Sequence, residues 1–86
     1  LERIFKVHGI PESEAAKVVK DIKKQFKIVY IKSHPRGYME GKPTILFQLS
    51  YLGEDQKNAK IELENVMREL ISRLSSLGAK IEVEQE

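Results

Sequence analysis

Hydrophobic and polar positions repeat with two different periods along the chain, and each change of period marks a boundary between elements. Alternation with a period of two predicts four β-strands, because neighbouring side chains of a strand point to opposite faces of a sheet. These predicted strands cover residues 3–8, 28–33, 44–52 and 79–85. Apolar residues at helical spacing predict one helix from Pro11 to Phe26 and a longer helix from about Asp55 to Leu77.

Each of the two predicted helices has one apolar stripe. The first stripe contains Ala15, Val18, Val19, Ile22 and Phe26, and the second contains Ala59, Leu63, Val66, Met67, Leu70, Leu74 and Leu77. Pro11 lies in the first turn, where helices favour proline, and Gly78 lies where a left-handed residue commonly ends a helix. Both helices are therefore expected to pack on a sheet with one side and to meet water with the other.

The order βαββαβ predicts a ferredoxin-like α+β sandwich in a single domain over residues 1–86. Its four antiparallel strands follow the order 4-1-3-2, and right-handed crossovers place both helices on one face of the sheet. The other face stays uncovered. Alternation assigns five large apolar side chains to this open face: Ile4, Ile28, Tyr30, Leu46 and Leu52. An uncovered patch of this kind predicts a protein interface, either with a neighbouring domain of the same chain or in a homo-oligomer.

Composition narrows the classes of function. The formal net charge is +2 and the basic and acidic residues are interleaved, so nucleic acid is not an expected partner. The absence of cysteine excludes disulfides, thiolate metal sites and a cysteine nucleophile. No apolar run approaches the ~20 residues of a membrane helix, so we expect no membrane partner and a cytoplasmic location. The abundance of lysine and glutamate is typical of thermophilic proteins.

The segment 33–43 is predicted to be a loop, because it combines two prolines and two glycines with several cations. Strands one and two are parallel, so this loop and the end of strand one share an edge of the sheet. The candidate residues for an anion-binding or interdomain edge are His8, Lys32, Ser33, His34, Arg36, Tyr38 and Lys42. The alternative interpretation is a solvated loop that Pro35, Gly37 and Gly41 shape and that binds nothing.

No set of residues in the chain has a recognisable catalytic arrangement. Serine candidates such as Ser13, Ser33 and Ser50 lack the glycines of a strand-to-helix nucleophile elbow. His8 has no acid or nucleophile indicated beside it, as a general base requires. The sequence therefore predicts a domain with no catalytic residues, no metal site and no cofactor.

Two short motifs resemble those of an archaeal branch of the competence/damage-inducible (CinA-like) proteins. They are Gly9-Ile10-Pro11-Glu12-Ser13, between a strand and a helix, and Ser33-His34-Pro35-Arg36-Gly37, after a later strand. The resemblance covers residues 3–84 and implies an accessory domain excised from a longer, molybdopterin-binding-type protein. In such proteins other domains have nucleotide-related hydrolytic chemistry, and their active-site segments do not occur in this chain.

Two hypotheses about function follow. The first is a non-catalytic accessory domain of a CinA-like protein, which contributes to interdomain packing or dimerisation. The second is a module that binds a small anion, a nucleotide or RNA through the basic segment 32–42. The first rests on the apolar open face and the resemblance, whereas the second rests on the cations of one segment.

Overall fold

The computed structural model describes residues 1–85, and residue 86 of the predicted domain lies outside it. Its elements are β1 (Glu2–His8), α1 (Glu12–Gln25), β2 (Val29–Met39), β3 (Lys42–Tyr51), α2 (Gln56–Ser76) and β4 (Lys80–Gln85). All strand pairs are antiparallel, and the strand order is β2-β3-β1-β4. This is the predicted order 4-1-3-2 counted from the opposite edge, so the ferredoxin-like fold is confirmed.

The core lies between the helices and the two central strands. Phe5 of β1 is directly opposite Phe47 of β3, and both are fully buried. Their rings stack with centroids 5.3 Å apart and planes inclined by 14°. Around this pair pack the buried side chains Val7, Val19, Ile22, Ile31, Ile45, Leu49, Leu63, Val66, Leu70 and Leu74. Aromatic pairs of this kind contribute beyond the area that they bury.

The ends of α2 follow from local chemistry. Asp55 precedes the helix, and its Oδ1 accepts hydrogen bonds from the backbone N–H groups of Lys57 (3.0 Å) and Asn58 (3.4 Å). At the other end Gly78 has φ of 94°, the left-handed conformation expected there. Leu77 does not belong to the apolar stripe as predicted. It lies beyond the last helical residue and is 47% exposed.

The largest difference from the sequence prediction concerns residues 33–43, which form a β-hairpin and not a loop. Strand β2 continues to Met39, and β3 already begins at Lys42. Glu40 and Gly41 form a two-residue turn with φ of 52° and 78°, both in the left-handed region that tight hairpins favour. The register of β2 against β3 shifts between Pro35 and Tyr38, so β2 contains a β-bulge between these two residues.

The proline and glycine residues of 33–43 predict a loop, and this prediction is wrong because β2 is an edge strand. An edge strand tolerates proline where the missing N–H would otherwise face solvent. Gly37 lies inside the bulge with φ of 86°, a conformation that β-branched and bulky residues avoid. Residues that usually end a strand therefore shape this one without ending it.

The two faces of the sheet differ as the alternation predicted, with exceptions at the edges. Ile28, Tyr30 and Leu52 are exposed on the open face, whereas Ile4 and Leu46 are half-buried among neighbouring strands. Val83 is opposite the buried Phe5, and alternation predicts that it faces the helices, yet it is 41% exposed. It belongs to β4, which forms one edge of the sheet.

The hairpin turn generates a first prediction. Glu40 has a positive φ, which costs a non-glycine residue about 1–2 kcal/mol and costs asparagine less. We expect Glu40→Asn to raise the free energy of unfolding by roughly 0.5–1 kcal/mol, measured by urea denaturation. Glu40→Ala serves as the control, because alanine tolerates the left-handed region no better. Equal stability of the two variants would contradict the assigned turn.

Candidate functional site

The open face of the sheet is the surface on which most candidate residues lie. Its side chains come from alternate positions of the four strands, and the strand register arranges them in rows. One row runs from Glu82 of β4 through Lys6 and Leu46 to His34 of β2. The next row places Gln48 of β3 beside Lys32. In these rows Glu82 lies at the β4 edge of the face, and Lys32 and His34 lie at the β2 edge.

The charges near β4 are largely paired. Lys6 Nζ lies 2.8 Å from Glu84 Oε1, and Gln48 donates a hydrogen bond of 2.6 Å to Glu2 Oε2. The hydrogen bond and the negative charge of Glu84 raise the pKa of Lys6 above its ordinary value of 10.5. The positive charge of Arg36 acts in the opposite direction on the same pKa.

The ring of His8 is held in place by a residue of the neighbouring strand. Its Nδ1 lies 2.9 Å from the hydroxyl oxygen of Thr44 on β3, and only 11% of its side chain is exposed. The other ring nitrogen, Nε2, is buried and has no hydrogen-bond partner within residues 1–85. The nearest carboxylate, that of Glu82, is 3.9 Å from it. His8 of β1 is therefore bonded to β3 and lies close to β4 without a hydrogen bond to it.

A small cleft lies beside His8, where the hairpin tip approaches the start of β4. Its volume is about 170 Å³, and it is lined by His8, Gly9, Met39, Glu40, Lys42, Gly78 and Lys80. Lys80 was missed in the sequence because it is distant from the 33–43 segment. No local signal in the sequence identifies it, because its position opposite His8 depends on the register of β4 against β1.

The structure divides the predicted edge residues among several places. His8 and Lys42 meet at the cleft. Lys32, His34 and Arg36 are exposed along β2, and Ser33 alternates to the other face of that strand. Tyr38 is 79% exposed beside the hairpin turn. The predicted single cluster is therefore a cleft and a separate row of side chains on the strand.

The apolar residues predicted for the open face are concentrated at one corner. We define the apolar corner as Ile28, Tyr30 and Leu52, which are 38%, 45% and 63% exposed. A backbone hydrogen bond of 2.8 Å from the N–H of Leu52 to the carbonyl of Ile28 holds its two sides together. Lys32 Nζ lies 5.6 Å from the ring centroid of Tyr30, within reach of a cation–π contact.

Two further observations concern chemistry and membranes. Among residues 1–85, no three His, Cys, Asp or Glu side chains come together in a way that could hold a metal ion. Neither α1 nor α2 combines the length and the apolar character that crossing a bilayer requires.

Comparison with known proteins finds relatives in archaea. No family model matches the chain. It is 32% identical over 81 residues to protein SSO0103 of Saccharolobus solfataricus, 33% over 73 residues to a protein of Caldivirga maquilingensis, and 28% over 81 residues to one of Pyrobaculum arsenaticum. The chain spans only 29%, 28% and 31% of the lengths of these three relatives. Their archaeal, thermophilic character agrees with the lysine- and glutamate-rich composition.

Solved structures show the same fold at low sequence identity. The designed protein Foldit4 matches with a TM-score of 0.62 and 17% identity, over 99% of this chain and 93% of that one. The design LFR1 1, described as having a ferredoxin fold, matches with a TM-score of 0.50 and 15% identity, over 100% of this chain and 85% of that one. These similarities support the fold alone.

The resemblance to CinA-like proteins is wrong. The matching proteins are SSO0103 and similar archaeal proteins, and no family model of the CinA or molybdopterin-binding type matches the chain. The two motifs that carried the resemblance have a local explanation. Gly9 has φ of 97° in the turn before α1, and Gly37 lies in the β2 bulge. Backbone geometry accounts for these glycines without a family.

The His8–Thr44 pair generates a second prediction. Thr44→Val keeps the shape of the side chain and removes the hydroxyl, so both ring nitrogens of His8 would then lack a protein partner. We expect a loss of about 1–3 kcal/mol in the free energy of unfolding, measured by urea denaturation. Thr44→Ser, which keeps the hydroxyl, is the control. A Val variant no less stable than the Ser variant would show that this hydrogen bond contributes nothing.

The Lys6–Glu84 pair generates a third prediction. Because the folded-state pKa of Lys6 is raised, the stabilisation from this pair is fully present below pH 10.5 and is lost as the pH rises through the raised value. We expect the stability difference between the natural protein and Glu84→Gln to shrink above pH 10.5, measured by urea denaturation across that range. A difference that stays constant with pH would contradict the pairing.

Proposed function

We propose that this is a non-catalytic accessory domain that packs against another domain of a longer polypeptide through the apolar corner. The observation that carries the proposal is the joint exposure of Ile28, Tyr30 and Leu52 on the uncovered sheet face. Single exposed apolar side chains are common on soluble proteins, but a contiguous group usually marks a contact. The largest of the three exposures is that of Leu52, at 63%.

The length of the relatives supports a partner within the same polypeptide. The matched segment makes up less than a third of SSO0103 and of the relatives from Caldivirga and Pyrobaculum. In those proteins a domain of this size is joined to a much longer chain, which provides a covalently attached surface at high effective concentration. A weak, small apolar contact is sufficient under that condition.

The side chains near the open face support a role without catalysis. The ring of His8 is engaged by Thr44 and mostly buried, so it is poorly placed to exchange protons with a substrate. His34 is exposed on the edge strand and does not line the cleft beside His8. A general acid or base must lie within hydrogen-bond reach of the proton that it transfers, and within residues 1–85 His34 has no surrounding side chains that would hold a substrate there.

This proposal generates a fourth prediction. Amide hydrogen exchange should be slower at residues 28–30 and 50–53 in the complete polypeptide than in the isolated 86-residue chain, because packing covers the apolar corner only in the former. Leu52→Ser should abolish that protection, whereas Ile61→Ser, at a 56% exposed position on α2, should leave it unchanged. Mass spectrometry of both forms measures the difference.

Two outcomes would overturn the proposal. Equal exchange at residues 28–30 and 50–53 in both forms would show that no other domain covers the corner. A stable dimer of the isolated chain that Leu52→Ser disrupts, detected by sedimentation, would assign the corner to a second copy.

A further inference from the structure

Several exposed side chains lie in a row along β2, and most of them are outside the apolar corner. Tyr30, Lys32 and His34 occupy every second position of β2 before its bulge, Arg36 lies at the start of the bulge, and all four are exposed. Alternate residues of a strand lie on the same face about 6.6 Å apart. We call these four residues the β2 row. It borders the open face on the side away from β4.

The cations of the β2 row are not neutralised by neighbouring acids. The ion pairs formed within residues 1–85 involve Lys6, His8 and Arg73, and none involves Lys32 or Arg36. The acidic residues Glu82 and Glu84 belong to β4, with β1 and β3 between them and the row. The carboxylate of Glu2 on β1 accepts a hydrogen bond from Gln48, the residue opposite Lys32, and forms no ion pair with Lys32. A strip of one sign of charge on an open surface attracts an extended ligand of the opposite sign.

An aromatic ring at one end of the row adds a second kind of contact. Tyr30 is 45% exposed and has Lys32 near its ring face, 5.6 Å from the centroid. Nucleic-acid bases stack on exposed aromatic side chains of this kind, and the stacking does not depend strongly on sequence. An acidic peptide has the charge to follow the cations but has no base to stack on Tyr30.

We propose that the β2 row binds single-stranded nucleic acid. Successive phosphates of an extended strand contact Lys32, His34 and Arg36, and one base stacks on Tyr30. This activity goes beyond the accessory role. The two uses exclude each other at Tyr30, which belongs both to the row and to the apolar corner. Lys42, at the cleft near the hairpin tip, adds a further cation on the same hairpin.

The composition does not predict nucleic-acid binding, because it does not show where the charges lie in the fold. A net charge of +2 with interleaved signs argues against nucleic-acid binding for the chain as a whole. The fold separates the signs in space, because alternation brings the cations of one strand to one side of it. The relevant quantity for a polyanion is this local charge and not the total.

The test is fluorescence anisotropy with a labelled twelve-nucleotide oligo-uridine and the matching oligo-thymidine, titrated with the 86-residue chain at low and moderate salt. We expect Lys32→Met/Arg36→Met to weaken binding about tenfold or more. The slope of log association constant against log salt concentration should become shallower by ~1.4, because two phosphate contacts are lost. The matched control is Lys57→Met/Lys60→Met, which removes two exposed cations from α2. That control should change the affinity less than twofold.

The aromatic contact has its own pair of variants. Tyr30→Phe keeps the stacking ring and should bind within twofold of the natural protein. Tyr30→Ala removes it and should weaken binding roughly five- to hundredfold. Thermal unfolding of each variant, followed by circular dichroism, shows whether the domain remains folded at the temperature of the titration.

Three results would overturn the inference: no binding at low salt, equal losses in the β2 and α2 double variants, or equal competition by poly-glutamate and oligo-uridine. The last result would indicate a general site for polyanions or acidic peptides. Leu52→Ser separates this inference from the accessory role. It should abolish the hydrogen-exchange protection in the complete polypeptide and leave the affinity for oligo-uridine within twofold.

Discussion

The pairing of β1 with β3 is the constraint on which the rest of the structure depends. It places Phe5 opposite Phe47 at the centre of the core, with both rings stacked and fully buried. Because side chains alternate along a strand, a slip of one residue would expose these rings and bury the charged positions between them. The same register thus determines which side chains meet the helices and which remain on the open face. The arrangement of the candidate surface is a consequence of how the core is packed.

The six elements and their order were predictable because their signals are local and repeat several times. Alternation in the strands and helical spacing in α1 and α2 each extend over many residues, so a single exception does not hide them. The 33–43 hairpin was not predictable in the same way. Proline and glycine end most strands, so Pro35 and Gly37 indicate a loop. An edge strand with a bulge tolerates both residues, and the indication is then wrong. Its turn, Glu40-Gly41, also lacks the asparagine or aspartate that usually identifies a two-residue hairpin.

The sequence identified most residues of the candidate site but not how they are arranged in space. A loop can bring its side chains close to one point, so a loop at 33–43 predicts that its cations lie beside His8. A hairpin spreads its side chains along a line, which separates Lys32 and Arg36 from the cleft that contains Lys42. Lys80 illustrates the remaining difficulty, because its position beside His8 depends on the register of two strands far apart in sequence. Such long-range pairing cannot be deduced from periodicity alone.

The polar groups in the middle of the open face limit what can cover it. Lys6 is paired with Glu84, and Gln48 is hydrogen-bonded to Glu2, so these groups are already satisfied while they face water. A partner that covered the whole face would have to desolvate them, and the penalty for burying charged pairs can exceed the attraction between them. Contacts at the border avoid this cost. The apolar corner and the β2 row both lie on the side of the face away from the paired acids of β4. A docked domain or a bound strand can therefore use that side without burying the centre of the face, and the two compete for Tyr30.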